Sequence, residues 1–356
     1  MANNKLGTLV PYCKALTTNE LAGGGNCLNL IRLIAAFQVM YWHTVEHLHL
    51  NGLPIVGEFL NFFDGVPIFF TMSGFLIWGS VGRSRSFSEY LKKRFWRIYP
   101  ELWVAVAVEL VVLLALYDGQ INWPQFCLFA VGQSSFFQFW TPDCLRGYGC
   151  GCPNGSLWTI CVLIQFYFFA YYVYKALHGR KAWAWITTIA VSLSISAILP
   201  LMESAVPEIL CKLIKVSLIP YFWMFILAAF AAENKERVLP FLKKWWIVMV
   251  ICLIAVRLGK FDFRAAFGVL DTILLFLGLT GAAYALPMLN IKTDISYAIY
   301  IYHMTVVNAL IQMGYLENLW LLFVVFGITC VISVISTKTI GNFSKKMKSR
   351  LSGDIA

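Results

Sequence analysis

The stretch Leu28-Asn-Leu-Ile-Arg-Leu-Ile-Ala-Ala-Phe-Gln-Val-Met-Tyr-Trp-His43 decides the fold of this chain, because it places Arg32 and His43 in one apolar run. Its length and apolarity predict a membrane-spanning helix. A charged or titratable group inside a membrane costs a few kcal/mol and usually serves a function. Eleven residues at about 100° each return both side chains to one face, about 16 Å apart along the axis. We therefore expect one polar stripe with two separate sites, one near each leaflet.

The composition of the whole chain also predicts a membrane protein. Of its 356 residues, 60% are hydrophobic and only 13% are charged, and the mean hydropathy is +0.71. Soluble domains are about a quarter charged, so we expect an all-α fold, a polytopic integral membrane helical bundle. The net charge of +10 is concentrated in short clusters at helix ends, which is typical of membrane topology. No basic domain remains to bind nucleic acid.

Apolar runs of about 17–25 residues predict the number of spanning helices. There are ten, at about 28–50, 65–81, 98–117, 157–175, 183–201, 213–233, 245–258, 265–286, 295–313 and 318–340. A further apolar patch at 121–140 is either re-entrant or interfacial. If the N-terminus is cytoplasmic, 21 Lys and Arg residues fall on the inner side and 6 on the outer side. This bias predicts that both termini are cytoplasmic.

This topology divides the chain into three parts in the cell (plasma or inner) membrane. Residues 1–27 form a cytoplasmic N-terminal segment without the pattern of a cleaved signal, so the first spanning helix is expected to direct targeting. Residues 28–340 form the ten-helix domain, and residues 341–356 form a basic cytoplasmic tail. Arg32 then lies near the cytoplasmic face and His43 in the outer half of the membrane.

A basic motif, Arg94-Phe-Trp-Arg97-Ile-Tyr-Pro100, lies at the inner membrane surface. Arg94 and Arg97 are spaced i, i+3, so both can face one ligand. Guanidinium groups bind phosphate oxygens in a bidentate manner. Spacing alone favours a plainer interpretation, in which the cluster fixes topology or contacts anionic lipid.

Small and aromatic residues mark two further motifs. In Asp64-Gly-Val-Pro-Ile-Phe-Phe-Thr-Met-Ser73-Gly74-Phe-Leu-Ile77, Ser73 and Gly74 favour close approach of a neighbouring helix. In Asn154-Gly-Ser-Leu-Trp158, the tryptophan is typical of the aromatic belt at a membrane surface. Stacking of Trp158 on a sugar is the less favoured alternative.

A second intramembrane histidine follows in Ser296-Tyr-Ala-Ile-Tyr-Ile-Tyr302-His303. A single histidine in a helix usually hydrogen-bonds a neighbouring helix. Two intramembrane histidines together with Arg32 shift the expectation towards a polar cavity.

Metal binding and disulfide formation are both weakly indicated. His43-Thr-Val-Glu46-His47 matches the inverted zinc-protease pattern, but no third ligand helix is evident, so we expect no metal. Cys144, Cys150 and Cys152 cluster in one polar outer loop and are able to form one disulfide. The odd number of thiols leaves the pairing open.

Taken in order, these motifs resemble acyltransferase family 3 of integral membrane O-acyltransferases. The resemblance covers most of residues 28–305 and joins the Arg32–His43 pair, the second-helix motif, the Arg-x-x-Arg segment and the two later motifs. It implies a ten-helix core that moves an acyl group, usually acetyl, from cytoplasmic acyl-CoA to a sugar hydroxyl. The acceptor would be a surface or secreted glycan such as O-antigen or exopolysaccharide. One departure is Leu163 or Ile164, where the family often has glutamate.

The resulting hypothesis is an enzyme with acetyl-CoA as donor substrate and no permanently bound cofactor. His43 is the expected base and Glu46, at i+3, is expected to fix its tautomer. Arg94 and Arg97 are expected to bind the CoA phosphates, and Arg32 to guide the pantetheine arm or stabilise charge. Cavity or substrate contacts are expected from Ser73, Trp158, Tyr302 and His303. The expected partners are membrane lipid, acyl-CoA and a glycan or lipid-linked sugar.

Two other classes of function compete with this hypothesis. The first is a small-molecule transporter or flippase whose permeation path is lined by the intramembrane arginine and histidines. The second is an acyltransferase-like scaffold without activity, for which the missing glutamate argues. Loss of the thioester of acetyl-CoA would distinguish an enzyme from both.

Overall fold

The structure, a computed structural model, describes residues 25–263, 265–291 and 293–352, and their regular structure is helical, as the sequence predicts. The α-helices are α1 (Leu28–His47), α2 (Pro54–Asn61), α3 (Gly65–Gly82), α4 (Phe87–Leu116), α5 (Trp123–Ser134), α6 (Trp158–Leu177), α7 (Ala182–Ile198), α8 (Glu208–Lys215), α9 (Phe222–Glu233), α10 (Lys235–Gly259), α11 (Val269–Ala285), α12 (Ser296–Gln312), α13 (Trp320–Ser336) and α14 (Asn342–Ser352). Short 3-10 helices are Asp143–Leu145, Gly155–Leu157, Leu199–Ala205, Ile219–Tyr221 and Pro287–Leu289, and Thr337–Gly341 is a π turn.

Six helical segments of the described chain are long and apolar enough to cross a membrane. They are Pro54–Gly82, Phe87–Leu116, Gly155–Leu177, Ala182–Met202, Lys235–Gly259 and Trp320–Arg350. A seventh arises if α8 and α9, which are bent by 47°, form one span together with Ile219–Tyr221. Each of the ten apolar runs contains a helix, but ten spans and the location of the termini stay predictions.

The position of a helix in the bundle explains its polarity. Helix α12 buries nearly all of its side chains against α1, α4 and α13, so its polar residues face protein. Helix α10 buries only Leu239, Leu242 and Leu253, and its other side chains are partly or fully exposed. A lipid-facing helix must be apolar around most of its surface, whereas a central helix tolerates polar groups that find partners.

The close approach predicted at Ser73-Gly74 is confirmed for the glycine. Helix α3 packs against α9, and a Cβ added at Gly74 would collide with the main chain of Phe225 and lie 3.1 Å from the Cβ of Ala228. Ser73, one residue earlier, instead lines a cavity. Adjacent residues of one motif therefore pack against α9 and line a cavity.

Several helix bounds differ from the predicted runs because charged residues lie inside helices. Helix α4 begins at Phe87, where Ser86 accepts a hydrogen bond from Glu89 N at 3.2 Å, so the Arg-x-x-Arg segment is helical. Helix α10 has 25 residues and includes Lys243 and Lys244, which interrupt the apolar run. The 121–140 patch contains α5, a helix of 12 residues, which is too short to span.

The structure describes little of the predicted N-terminal segment but most of the predicted C-terminal tail. Most of the predicted N-terminal segment, residues 1–24, lies outside the described residues. In the predicted tail, residues 342–352 form α14, which packs on α4 with the rings of Phe343 and Trp96 5.8 Å apart. The described part of the tail is therefore part of the folded bundle.

Candidate functional site

Helices α1 and α12 run side by side, and polar side chains meet between them at both ends. We call these the Arg32 end and the His43 end. At the Arg32 end, Asp294 Oδ2 accepts hydrogen bonds from Arg32 Nη1 at 2.5 Å and Arg97 Nη2 at 3.2 Å. Asp294 Oδ1 accepts from the backbone N and the hydroxyl of Ser296, at 3.0 and 2.5 Å. We call Arg32, Arg97 and Asp294 the ion triad.

The ion triad carries a fixed positive charge. The Asp294 side chain is only 13% exposed, and burial by itself raises the pKa of a carboxyl group. The guanidinium groups of Arg32 and Arg97 outweigh this effect and hold the pKa of Asp294 well below its usual range. One carboxylate thus faces two guanidinium groups, and the excess charge is available to an anion.

Two cavities meet at this end. The larger, the basic cavity, has a volume of about 550 Å³. The smaller, the narrow cavity, has a volume of about 120 Å³ and extends among α3, α4, α6 and α12. Arg32, Arg94 and Arg97 line both cavities, so these three side chains lie where the two cavities adjoin.

Arg94 is oriented but incompletely satisfied. Its Nη2 donates to Ser80 Oγ at 2.5 Å, and its guanidinium carbon lies 5.5 Å from the ring centre of Tyr167. Its Nε is buried and has no hydrogen-bond partner among the described residues. A buried guanidinium N–H without a partner is costly, and an anionic ligand in the adjoining cavity would relieve that cost.

At the His43 end, two imidazoles share one hydrogen bond. His43 Nδ1 lies 2.8 Å from His303 Nε2, and His303 Nδ1 lies 3.1 Å from the carbonyl oxygen of Ile299. A carbonyl only accepts, so His303 Nδ1 carries the proton, and in the neutral ring Nε2 is then an acceptor. His43 Nδ1 must therefore donate, which leaves His43 Nε2 with a free lone pair. We call His43 and His303 the histidine pair.

Neither histidine lines the narrow cavity, but its wall lies close to the histidine pair. Tyr300 lines this cavity, and its ring centre lies 6.0 Å from that of His303. Its hydroxyl lies 2.6 Å from Thr159 Oγ1, and its ring packs 5.4 Å from Phe69. Thr159 and Phe69 also line the cavity.

The structure brings together most, but not all, of the site residues predicted from sequence. Arg32, Arg94, Arg97 and Ser73 line the narrow cavity, and His43 contacts His303. The side chain of Glu46 is exposed, and no hydrogen bond joins it to His43 in the described part of the chain. His303 occupies the orienting position that the sequence assigned to Glu46.

Three predicted cavity residues, Trp158, Tyr302 and His303, do not line the narrow cavity. Tyr302 donates a hydrogen bond to Ser336 Oγ at 3.3 Å. Trp158 lines a separate, mostly apolar cavity of about 630 Å³ and packs against Tyr221 and Phe70. Phe70 also lines the narrow cavity, so these aromatic rings separate the two spaces. Leu163, one of the two positions at which the family often has glutamate, faces the narrow cavity.

The metal and disulfide expectations concern His43, Glu46, His47 and the cysteine loop. The described residues contain no group of three or more His, Cys, Asp or Glu side chains arranged to bind a metal. Cys144, Cys150 and Cys152 are free thiols, and burial raises the pKa of Cys152. The hydroxyl of Ser73 has no hydrogen bond to another described side chain, so no neighbour activates it as a nucleophile.

Sequence reasoning missed Asp294 and Asn308. Asp294 lies two residues before Ser296, in a pattern typical of a helix start, and close in sequence to the predicted inner face. Asn308 lies within a predicted span, where the argument used for His303 applies equally. Its side chain accepts from Cys150 N and donates to the carbonyls of Cys152 and Pro153, which fixes the cysteine loop on α12.

Similarity to known proteins extends over most of the chain. Residues 26–338 match the family described as "Acyltransferase domain". The chain is 29% identical to "Nodulation protein 10" of Rhizobium leguminosarum bv. viciae, over 94% of this chain and 97% of that protein. It is 27% identical to "O-acetyl transferase" of Shigella phage Sf6, over 83% and 90% of the two chains. No solved structure matches this chain.

Proposed function

This chain belongs to the acyltransferase family, and from that premise we propose that it moves an acetyl group from acetyl-CoA to a hydroxyl of a glycan or lipid-linked sugar. Membership makes it an acyltransferase enzyme with several apolar helices, and therefore a multi-pass membrane protein. The relative named as an O-acetyl transferase supports acetyl as the group transferred to oxygen.

One observation carries the proposal, namely that Arg32, Arg94 and Arg97 line both cavities. The basic cavity suits a phosphate-rich ligand, because guanidinium and ammonium groups outnumber carboxylates around it. The three shared arginines connect it with the narrow cavity, whose wall reaches the histidine pair through Tyr300. Such a path suits a donor whose phosphates stay at the mouth while its thioester reaches inward.

The topology of the proposal follows from charge. We assign the Arg32 end to the cytoplasm, with ten spans and both termini inside, because Lys and Arg are concentrated on that side. Acetyl-CoA would then enter the basic cavity from the cytoplasm of the cell or inner membrane. The acceptor would reach the histidine pair from the outer side, and the ~16 Å between Arg32 and His43 along α1 would be spanned by the pantetheine arm.

In the proposed reaction, His43 Nε2 accepts the proton of the acceptor hydroxyl. The hydroxyl oxygen attacks the thioester carbonyl carbon, the C–S bond breaks, and an O-acetyl ester forms. The departing CoA thiolate takes the proton from the His43 imidazolium, which restores the base. His303 orients His43 throughout, because His303 Nε2 accepts the hydrogen bond that His43 Nδ1 donates.

The test uses purified full-length protein in lipid nanodiscs with acetyl-CoA and lipid-linked or free glycan from the host surface. We expect free CoA thiol to appear only when acceptor is present, with an equal amount of acetyl ester on the glycan by mass spectrometry. Glycan uptake into proteoliposomes without loss of thioester would instead support the transporter hypothesis. Absence of both would support an inactive scaffold.

A further inference from the structure

One wall of the basic cavity is formed by the C-terminal helix. Thr337, Gly341, Ser344, Lys345 and Lys348 line it from the π turn and α14. Across the whole cavity, seven Lys and Arg side chains face two carboxylates. The seven basic side chains are Arg32, Arg83, Lys93, Arg94, Arg97, Lys345 and Lys348, and the two carboxylates are Glu101 and Asp294. Lys93 is paired with Glu89 outside the cavity lining, at 2.7 Å, so the other six provide the excess. This excess predicts a ligand with several negative charges.

The fold holds α14 at the cavity. Ser344 is buried, and Phe343 packs against Trp96 of the Arg-x-x-Arg segment at 5.8 Å between ring centres. The π turn Thr337–Gly341 lies where α13 passes into α14, and residues at both of its ends line the cavity. A π turn is rare, is less favourable than a continuous α-helix and is frequently found at functional sites.

Lys345 and Lys348 hold a particular position along the path of the donor. Arg32, Arg94 and Arg97 line both cavities, whereas the two lysines line the basic cavity but not the narrow one. A donor with its thioester in the narrow cavity places its opposite end in the basic cavity. In CoA, that opposite end carries the adenosine 3′-phosphate, and the diphosphate lies between it and the pantetheine arm.

We propose that Lys345 and Lys348 of the C-terminal helix bind the 3′-phosphate of CoA, a role that rests on the proposed use of acyl-CoA as donor. The spacing i, i+3 places both ammonium groups on one face of α14, and a phosphate monoester presents three acceptor oxygens to them. The C-terminal helix therefore belongs to the donor site and selects CoA over donors without the 3′-phosphate.

Equilibrium binding tests this role independently of catalysis. Full-length protein in nanodiscs of neutral phosphatidylcholine is titrated with CoA and with 3′-dephospho-CoA by calorimetry. We expect the wild type to bind CoA about tenfold or more tightly than dephospho-CoA. The variant with Lys345→Gln and Lys348→Gln should bind CoA as weakly as dephospho-CoA, while its affinity for dephospho-CoA stays unchanged.

Matched variants separate a local contact from a general effect of charge. Lys346→Gln with Arg350→Gln removes the same charge from exposed positions of α14 that do not line the cavity, and it should keep the wild-type preference. Lys345→Arg with Lys348→Arg should restore most of it. If either Gln variant is poorly folded, the affinities of the wild type for CoA and for 3′-dephospho-CoA still test the proposal.

Three outcomes would overturn the proposal. They are equal binding of the two ligands by the wild type, equal weakening of both ligands in the Lys345/Lys348 variant, and the same loss in the Lys346/Arg350 control. Phosphate chemistry is shared with anionic lipid, so the titration is repeated with added phosphatidylglycerol. An effect of the lysines confined to the anionic nanodiscs would assign them to lipid instead.

CoA binding without acetyl transfer would contradict the proposed function and leave this inference standing.

Discussion

The Arg32 end and the His43 end lie on the same helix faces of the α1–α12 pair but differ in charge. At the Arg32 end, a carboxylate and two guanidinium groups keep their charges, with the Asp294 carboxyl ionised far below its usual pKa range. At the His43 end, two rings share a hydrogen bond, and no described carboxylate bonds to either. Permanent charge suits the binding of an anion, whereas a neutral imidazole with a free lone pair suits proton transfer.

The largest expected effect breaks the His43 end alone. His43→Ala removes the proposed base, so kcat should fall by about 10²–10⁴-fold, the usual range for general-base catalysis. The KM for acetyl-CoA should change little, because the donor phosphates are bound at the other end. Initial-rate kinetics in nanodiscs measure both constants.

The control for this change is His49→Asn, at an exposed neighbouring position with φ of 54°, which asparagine adopts readily. It should retain wild-type kinetics. A His43→Ala enzyme with near-normal kcat would transfer the role of base to another group.

A smaller effect is expected from the group that orients His43. His303→Leu leaves His43 Nδ1 without its acceptor at similar side-chain volume, and kcat should fall about tenfold, equivalent to about 1.4 kcal/mol. Glu46→Gln, at an exposed position, should change kcat less than about twofold. The reverse order of these two losses would restore Glu46 as the orienting residue.

The prediction for the Arg32 end concerns stability rather than the chemical step. Asp294→Asn leaves two guanidinium groups without their carboxylate and should lower stability by about 2 kcal/mol, less than for a fully buried pair since Arg97 is 34% exposed. Thermal unfolding in detergent measures the loss. Asp143→Asn, which removes the exposed partner of Arg146, should leave the Tm unchanged.

The pH dependence of that loss has a definite sign. Because the pKa of Asp294 is lowered in the folded protein, its stabilisation is present above the ordinary carboxyl pKa of about 4 and declines as pH falls further. The Tm difference between wild type and Asp294→Asn should therefore be constant from about pH 5 to 8 and shrink below about pH 4. A difference that shrinks near pH 6.5 would point to a histidine instead.

Much of the fold could be predicted from the sequence because lipid imposes a simple rule on helix surfaces. Apolar run length located a helix in each of the ten predicted runs but not α2 or α14. The i, i+11 relation of Arg32 and His43 placed both on the face that meets α12. The bounds failed where charged residues sit inside helices, as at Lys243 in α10. Hydropathy treats such a residue as a helix end, although a snorkelling side chain at a membrane surface is tolerated.

The candidate site was less predictable because its contacts join residues distant in sequence. The pattern His43-x-x-Glu46 favoured a local partner one turn away, but the true neighbour is His303, 260 residues later. Asp294 was missed since no local pattern links it with Arg32. Lys345 and Lys348 were interpreted as a topological tail, and only the packing of α14 on α4 brings them to the cavity.

The hydrogen bond from His303 to the carbonyl oxygen of Ile299 has a consequence for genetics. The group that fixes the histidine pair is backbone, and every amino acid supplies the same carbonyl at that position. A screen for loss-of-function alleles would therefore recover changes at codons 43 and 303. No substitution at codon 299 would remove the carbonyl oxygen that bonds His303. The part of the site that sets which nitrogen carries the proton is thus the part that point mutation cannot delete.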